Sequence, residues 1–196
     1  MSFPLTEKEF HLLQDASLLP AKFRIGEKIN KWLAALHREL KTPISNAIHL
    51  SEEVCQSSGK ISRGENYHNQ AYRVLDYPRI FRRDAIFAFR TVVLWGHPIG
   101  FHLILSGIYK EKHQEHLLTN RHKLGENVCL AAHETPWIWE ADAPGLHPCH
   151  AMSEEDWREH LDRFSFIKLS QFLPLTEYEH IASKGTTIWT QWSQLL

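Results

Sequence analysis

Apolar residues recur at helical spacing near the start of the sequence and predict a layer of helices. The clearest pattern is a stripe in which apolar side chains return every three or four residues: Ile25, Ile29, Trp32, Leu33, Leu36 and Leu40. Lysines and arginines occupy other positions around this helix, as in a surface helix that buries one face. The Thr42–Pro43 step is predicted to end the helix, because proline disfavours helical geometry in the residue before it.

Two further helices are predicted on either side of this stripe. Thr6 and Glu9 have the spacing of a capping box, in which each side chain hydrogen-bonds the backbone of the other, so a helix is expected to begin near Glu7. A third helix is predicted over residues 45–55. Residues 1–57 are therefore interpreted as a helical N-terminal layer.

The middle of the sequence predicts a strand, a helix and a second strand in succession. Residues 72–77 alternate between two faces, and Pro78 is expected to end this strand because proline cannot donate to a sheet ladder. Residues 82–95 are apolar on more than one helical stripe, which predicts a helix buried on several sides and ended at Gly96. Residues 99–106 are apolar on both faces, as in a central strand.

The rest of the chain predicts shorter elements that complete an α+β fold. Further strands are expected over 60–65, 127–132 and 164–169, and helices over 108–124, 153–161 and from 176 onward. A proline-rich loop is predicted over 133–150, with a short strand at 137–140. The whole chain, 1–196, is interpreted as a single domain. Its helical layer, 1–57, precedes an α+β portion, 58–196, with a mixed or antiparallel sheet of about four to six strands and packed helices.

Composition places the chain among ordinary globular proteins. It has 196 residues, 43% hydrophobic and 23% charged, which suits a buried core and argues against disorder. Three cysteines without close pairs suit a reducing compartment. No signal-peptide pattern and no apolar run of membrane-spanning length is present in the sequence, so a cytoplasmic protein without a membrane segment is expected.

Polar residues at the ends of the central elements form the first candidate site. Asp76, Arg79, His97 and His102 are predicted to converge in a pocket in which a histidine acts as acid or base near neutral pH. A structural interpretation competes with this one and is favoured over it. Asp76 and Arg90 both lie in apolar surroundings and would each need a partner, so they are expected to form an ion pair.

Histidines and cysteines supply a second candidate, a metal site. His133, His147 and His150, together with Cys129 and Cys149, offer imidazole and thiolate ligands that suit zinc. Their spacing matches no established zinc motif, so partly exposed histidines and small buried cysteines are the competing interpretation. His113 and His116 lie three residues apart on a predicted helix and could share a metal, but their neighbours are typical of solvated surface.

The sequence also contains two candidate binding surfaces. Arginines and tyrosines between positions 63 and 83 could hold phosphate and stack bases, but a net charge of −1 and the lack of a nucleic-acid motif argue against nucleic acid. Tryptophans could anchor a protein partner. Trp189 and Trp192 are predicted to lie in the core instead, and Trp137 and Trp139 suit either role.

The sequence lacks the motifs of nucleotide-binding loops, hydrolase elbows and thioredoxin-type redox sites. We therefore expect a small-ligand or protein-partner binding function. The alternative is an enzyme with an Asp/Arg/His polar pocket, in one version a metal-assisted hydrolase that uses His133, His147 and His150. No pattern designates a cofactor or an oligomeric state.

Overall fold

Helices at the N-terminus are followed by a sheet, as the sequence predicts. The computed structural model describes residues 3–196, so the first two positions of the predicted N-terminal layer lie outside the described residues. Three helices come first: α1 (Glu7–Gln14), α2 (Leu18–Ser45) and α3 (Glu52–Cys55). Helix α2 buries the stripe that its sequence predicts, with Leu33, Leu36 and Leu40 fully enclosed.

Within residues 3–196, seven strands form one antiparallel sheet. They are β1 (Lys60–Tyr67), β2 (Gln70–Phe81), β3 (Ile86–Leu94), β4 (Ile99–Ser106), β5 (Cys129–Ala131), β6 (Leu146–Pro148) and β7 (Phe166–Leu173). Their spatial order is β1-β2-β3-β4-β7-β5-β6. The first four strands are successive hairpins, and β7 returns beside β4 to join them to the short β5–β6 pair.

Three further helices follow the first four strands: α4 (Ile108–Asn120), α5 (Glu154–Arg163) and α6 (Ile181–Ser193). Short 3-10 helices at Arg121–Lys123, Cys149–Ala151 and Leu175–His180 follow α4, precede α5 and precede α6, respectively. Trp189 and Trp192 of α6 are buried in the core, which confirms their predicted role. The α+β class and the antiparallel sheet are confirmed, although the sheet has more strands than expected.

The sheet has one face in the main core and one face that carries the candidate site. Alternate strand residues such as Phe87, Phe89, Phe101 and Leu103 belong to the large cluster that includes α2 and α6. The intervening residues point to the opposite face, because side chains alternate along a strand. That second face carries a separate small cluster formed by Val74, Val92, Leu94 and Trp139.

The predicted helix over residues 82–95 is wrong, because this segment forms strand β3. Both faces of β3 are covered, so nearly every residue of Ile86–Leu94 is apolar and the two-residue period of a strand disappears from the sequence. Its β-branched and aromatic residues favour a strand over a helix, and that composition outweighs the apolar stripes.

Two predicted proline boundaries are also wrong. Pro78 does not end β2, because the register with β3 shifts between Asp76 and Arg79 and this bulge accommodates a residue without an N–H. Pro43 lies inside α2, which continues to Ser45. The interruption is small there because the helix ends two residues later.

Several other predicted helix and strand boundaries also differ from those in the structure. The predicted third helix over 45–55 is reduced to α3, preceded by turns. The predicted strand at 137–140 is a loop, and β6 lies further along at Leu146–Pro148. The helix expected from position 176 begins at Ile181, after a 3-10 turn. Among the helices in the described part of the chain, none combines the length and apolarity that crossing a bilayer requires.

Helix α5 begins with a capping box at Ser153, the position where the sequence predicts this helix to start, and the contribution of the cap to stability can be measured. The Ser153 hydroxyl accepts a hydrogen bond from the Asp156 backbone N–H, and the Asp156 carboxylate accepts from the backbone N–H of Ser153. We expect Ser153→Ala to lower the free energy of unfolding by about 1 kcal/mol, because the helix terminus loses one partner. Urea denaturation measures this loss, and Ser153→Asn, which keeps a capping oxygen, is expected to retain most of the stability. A Ser153→Ala protein as stable as wild type would contradict the assignment.

Candidate functional site

A row of polar side chains crosses the sheet on the face opposite the main core. Four of these residues lie in line because each is directly paired with the next across neighbouring strands: Asp76 on β2, Arg90 on β3, His102 on β4 and Ser170 on β7. Lys168 lies two residues before Ser170 on β7, so its side chain points to the same face of the sheet. Buried sheet positions normally carry apolar residues, so this row is the most unusual feature of the core.

The row begins with a bidentate ion pair. The Nε of Arg90 donates to Oδ1 of Asp76 at 2.6 Å, and its Nη2 donates to Oδ2 at 3.0 Å. The two side chains are only 12% and 6% exposed. This confirms the ion pair that the sequence predicts. A fork-to-fork pair of this kind fixes the plane of the guanidinium as well as its position.

Aromatic rings surround the guanidinium of Arg90. Its central carbon lies 4.7 Å from the ring centre of Trp137 and 5.5 Å from those of Phe81 and Trp139. The negative faces of such rings attract a cation, more strongly where water is excluded. Arg90 therefore joins the sheet to the two tryptophans, which come from a distant part of the chain.

The tryptophans belong to a loop that covers this face of the sheet, residues 132–145, called the flap below. It connects β5 to β6, and its base is closed by the Ala132 N–H, which donates to the Gly145 carbonyl at 2.7 Å. Gly145 has a φ of +92°, and a Cβ there would lie 2.8 Å from the Ala132 carbonyl oxygen. Glycine is thus required where the two ends of the flap meet.

Glu140 fastens the flap to the β1–β2 hairpin. Its carboxylate accepts hydrogen bonds from the Tyr67 hydroxyl at 2.7 Å and the Trp139 backbone N–H at 3.0 Å, and it lies 2.9 Å from Nδ1 of His68. The Tyr67 and Trp139 rings stack with centres 4.3 Å apart. Burial and the Glu140 contact raise the pKa of Tyr67 to about 12. The hydroxyl therefore stays protonated and keeps donating at neutral pH.

A pocket lies between the flap and the sheet. Its volume is about 280 Å³, and its lining consists of Ser62, Tyr72, Val74, Asp76, Arg90, Trp137 and Trp139. The ion pair and Ser62 supply polar atoms, and the three aromatic rings supply flat apolar surface. The buried indole N–H of Trp139 has no hydrogen-bond partner within the described part of the chain. An apolar concavity with a few fixed polar groups is the usual form of a small-molecule site.

Lys168 lies beneath the flap and is almost completely buried. Its ammonium group reaches the backbone carbonyl of Ile138, between the two flap tryptophans. Burial lowers the pKa of this amine to about 7, and nearby Arg90 adds to the effect while Glu140 opposes it. The flap thus rests on a lysine that is partly uncharged at neutral pH.

Two buried histidines contribute to this region, His102 beneath the flap and His133 within the flap itself. Nδ1 of His102 lies 3.0 Å from the Ser170 hydroxyl, and its Nε2 has no partner within residues 3–196. Burial, followed by the charges of Lys168 and Arg90, lowers the pKa of His102 well below its usual value. His133 bonds the Pro144 carbonyl through Nε2 at 2.9 Å, and burial lowers its pKa as well. Both imidazoles are therefore neutral at pH 7.

The four residues predicted to form an Asp/Arg/His pocket are only partly brought together. Asp76 and His102 share the polar row, with Arg90 between them. Arg79 lies past the β2 bulge, where its backbone N–H contacts the Ser57 hydroxyl. His97 lies in the β3–β4 turn, and its Nε2 is 3.0 Å from Nε2 of Gln70. Only Asp76 among the four lines the pocket under the flap.

The three predicted metal ligands contact different parts of the chain. His133 bonds the flap carbonyl described above, and His150 lies 3.0 Å from the Glu126 carbonyl through Nδ1. His147 is exposed and lines a different cleft, beside α5. Across residues 3–196, no group of three or more histidine, cysteine or acidic side chains has the arrangement that would hold a metal ion.

Comparison with known families finds none whose profile matches this sequence, and comparison with curated proteins finds no match either. The assignment of function therefore depends on the geometry of the pocket.

Sequence reasoning missed several members of the site. Lys168, Ser170 and Glu140 have no predicted role, although a lysine inside the segment FIKLSQFL is a usable signal, and Tyr67 is predicted only as one of the tyrosines that could stack nucleic-acid bases. A buried lysine is rare and needs an explanation. The contacts of Tyr67 with Glu140 join positions 73 residues apart and leave no local pattern.

Proposed function

We propose that this protein binds a small, neutral, planar heteroaromatic ligand in the pocket between the flap and the sheet. The observation that supports this best is the Asp76–Arg90 pair at the base of the pocket, held by two hydrogen bonds and enclosed by aromatic rings. The pair offers donors and acceptors side by side without a net charge. This favours a neutral ligand over an anion.

The hydrogen-bonding capacity of the pair defines the edge of the ligand. A guanidinium has five N–H donors and a carboxylate about four lone-pair positions. Two of each are used within the pair, so both residues can bond a ligand as well. A lactam edge, with an N–H beside a C=O, complements this arrangement: its N–H donates to Asp76 and its carbonyl accepts from Arg90.

The size and walls of the pocket define the ring system. A cavity of about 150 Å³ holds one benzene ring. The observed volume of about 280 Å³ therefore suits a fused bicyclic ring. Tyr72 and Trp139 meet edge to face with ring centres 5.0 Å apart, and Trp137 is still 36% exposed at the rim. Stacking of a flat ring on such a wall contributes about 1–3 kcal/mol.

Titration with neutral bicyclic lactams tests this proposal. We would use 2-quinolone, quinazolin-4-one and hypoxanthine, followed by calorimetry and by the indole N–H resonances in NMR spectra. At least one is expected to bind with a dissociation constant below about 1 mM and to shift the Trp139 indole signal. Naphthalene, which lacks the lactam edge, is expected to bind at least about tenfold more weakly.

A tryptophan substitution localises the binding. Trp137→Ala removes a partly exposed wall of the pocket and is expected to weaken lactam binding at least about tenfold, through lost stacking. Trp95→Ala is the matched control, because Trp95 is half-buried in the β3–β4 turn and does not line the pocket. Equal losses in both variants, or no binding of any of the three lactams at about 1 mM, would overturn the proposal.

The structure bears on three other expectations from the sequence: an enzymatic function, a cytoplasmic location and nucleic-acid binding. The enzyme alternative is less well supported, because His102 is enclosed next to Ser170 and is absent from the pocket lining. A cytoplasmic location is proposed from the cysteines, since Cys55, Cys129 and Cys149 are all free thiols. Nucleic-acid binding gains no support from the arginines of β2, because Arg73 is largely buried and lies 3.5 Å from Glu65.

A further inference from the structure

Exposed apolar side chains are concentrated at the N-terminus of the described chain. Of the fifteen large apolar residues that are well exposed, nine fall within residues 3–25, called the N-terminal apolar segment below. They are 41–87% exposed: Phe3, Leu5, Phe10, Leu12, Leu13, Leu18, Leu19, Phe23 and Ile25. None of the residues of α1, Glu7–Gln14, is buried.

Part of this surface continues the buried stripe of α2 beyond the sheet. Gly26 begins the stripe that α2 buries. Phe23 and Leu19 precede it by three and seven residues, so they lie on the same side of the helix. The face that packs in the core thus extends for two more turns with nothing from residues 3–196 covering it.

We infer that a second copy of this chain covers the N-terminal apolar segment, in a two-fold symmetric dimer. The area suits such an interface. Phe3, Phe10 and Phe23 are 87%, 50% and 66% exposed, so at about 150–250 Å² per ring they alone present about 300–500 Å². That already matches the largest apolar patch of a typical monomer. With six further aliphatic side chains the total approaches the ~800 Å² per partner of a standard interface.

Charge along the segment favours a copy of the same chain over a lipid surface. The first turn of α1 has a net charge of −1 from Glu7, Lys8 and Glu9, whereas the start of α2 has a net charge of +1 from exposed Arg24, Glu27 and Lys28. When two copies pair antiparallel, the acidic α1 of one lies beside the basic start of α2 in the other, and the two-fold axis repeats the contact. An anionic lipid surface would complement Arg24 and Lys28 but not Glu7 and Glu9, whereas a second copy supplies both signs of charge.

Analytical ultracentrifugation of the full chain tests the inference. Wild type is expected to sediment as a dimer at micromolar concentration. A double variant, Leu19→Glu with Phe23→Glu, is expected to weaken the dimer at least about a hundredfold, since four charges would enter each interface. Both positions are exposed within the chain, so the circular dichroism spectrum should remain that of wild type, whereas the unfolding midpoint should depend less on protein concentration than that of the wild-type dimer.

A control and two contrary outcomes complete the test. Ile48→Glu changes an apolar residue that is 90% exposed but lies outside the N-terminal apolar segment, and it is expected to leave the dimer intact. A wild-type chain that stays monomeric at about 100 µM would overturn the inference. So would a monomer that sediments with phosphatidylserine vesicles. Neither result affects the pocket proposal, which is tested by lactam binding alone.

Discussion

Replacing Asp76 by asparagine is expected to lower the free energy of unfolding by about 3–5 kcal/mol. The substitution leaves the Arg90 guanidinium in its nearly enclosed position without the carboxylate that accepts both of its hydrogen bonds. An unpaired buried charge costs far more than the pair itself contributes. Urea denaturation followed by circular dichroism measures the loss, and lactam binding should weaken in parallel, because one carboxylate oxygen is replaced by an NH2 donor and the remaining acceptor is uncharged.

Two comparisons show that the loss comes from burial. Removing both charges, with Asp76→Leu and Arg90→Met together, is expected to restore most of the stability, because no uncompensated charge remains. Glu154→Gln removes the surface ion pairs of Glu154 with Arg158 and Arg121, which is expected to change the stability by no more than about 1 kcal/mol. A loss below about 1 kcal/mol for Asp76→Asn would contradict the enclosed pair.

Lys168→Met is expected to remove a large pH-dependent contribution to the stability of the protein between pH 7 and pH 9. In the unfolded chain the amine keeps its proton up to its ordinary pKa of 10.5, whereas in the folded protein its pKa is about 7. Between these values the unfolded state binds the extra proton, so the contribution of Lys168 to stability rises with pH. The slope is half of its limit of about 1.4 kcal/mol per pH unit at pH 7 and approaches that limit above pH 8, which amounts to about 2 kcal/mol between pH 7 and pH 9.

The difference between wild type and variant isolates this effect. Methionine does not titrate, so the advantage of wild type over Lys168→Met should grow across that window. Burial also raises the pKa values of Cys149, Tyr67 and Tyr109, and these groups lower stability at high pH in both proteins alike. Urea denaturation at pH 6, 7, 8 and 9 measures both profiles. Lys112→Met, an exposed lysine on α4, is the control, and parallel profiles for wild type and Lys168→Met would contradict the expectation.

The sequence predicts the structure correctly where residues close together in the chain determine an element. The stripe of α2, the capping box at Thr6 and the helix start at Ser153 each depend on residues three or four positions apart, and each is present as predicted. Strand β3 was missed because burial of both faces removes the alternation that marks a strand. The local signal fails there because the covering elements come from elsewhere in the chain.

The site was predictable only in part for the same reason. Asp76 and Arg90 were paired correctly because each was a charge in apolar surroundings, which demands a partner. The flap is different. Its contacts with Tyr67 and Lys168 cross 73 and 30 positions of sequence, and they exist only after β7 has been inserted between β4 and β5. These contacts depend on the strand order of the sheet, which no short sequence pattern predicts.

The position of the flap has a consequence for how this protein can diversify. The flap connects two three-residue strands at the margin of the sheet, and its ends are closed by a single backbone hydrogen bond. Loop closure depends weakly on length, at about 0.6 kcal/mol per doubling. Relatives could therefore exchange the whole segment for longer or shorter versions and acquire new ligand preferences, while the framework of sheet and helices is inherited unchanged.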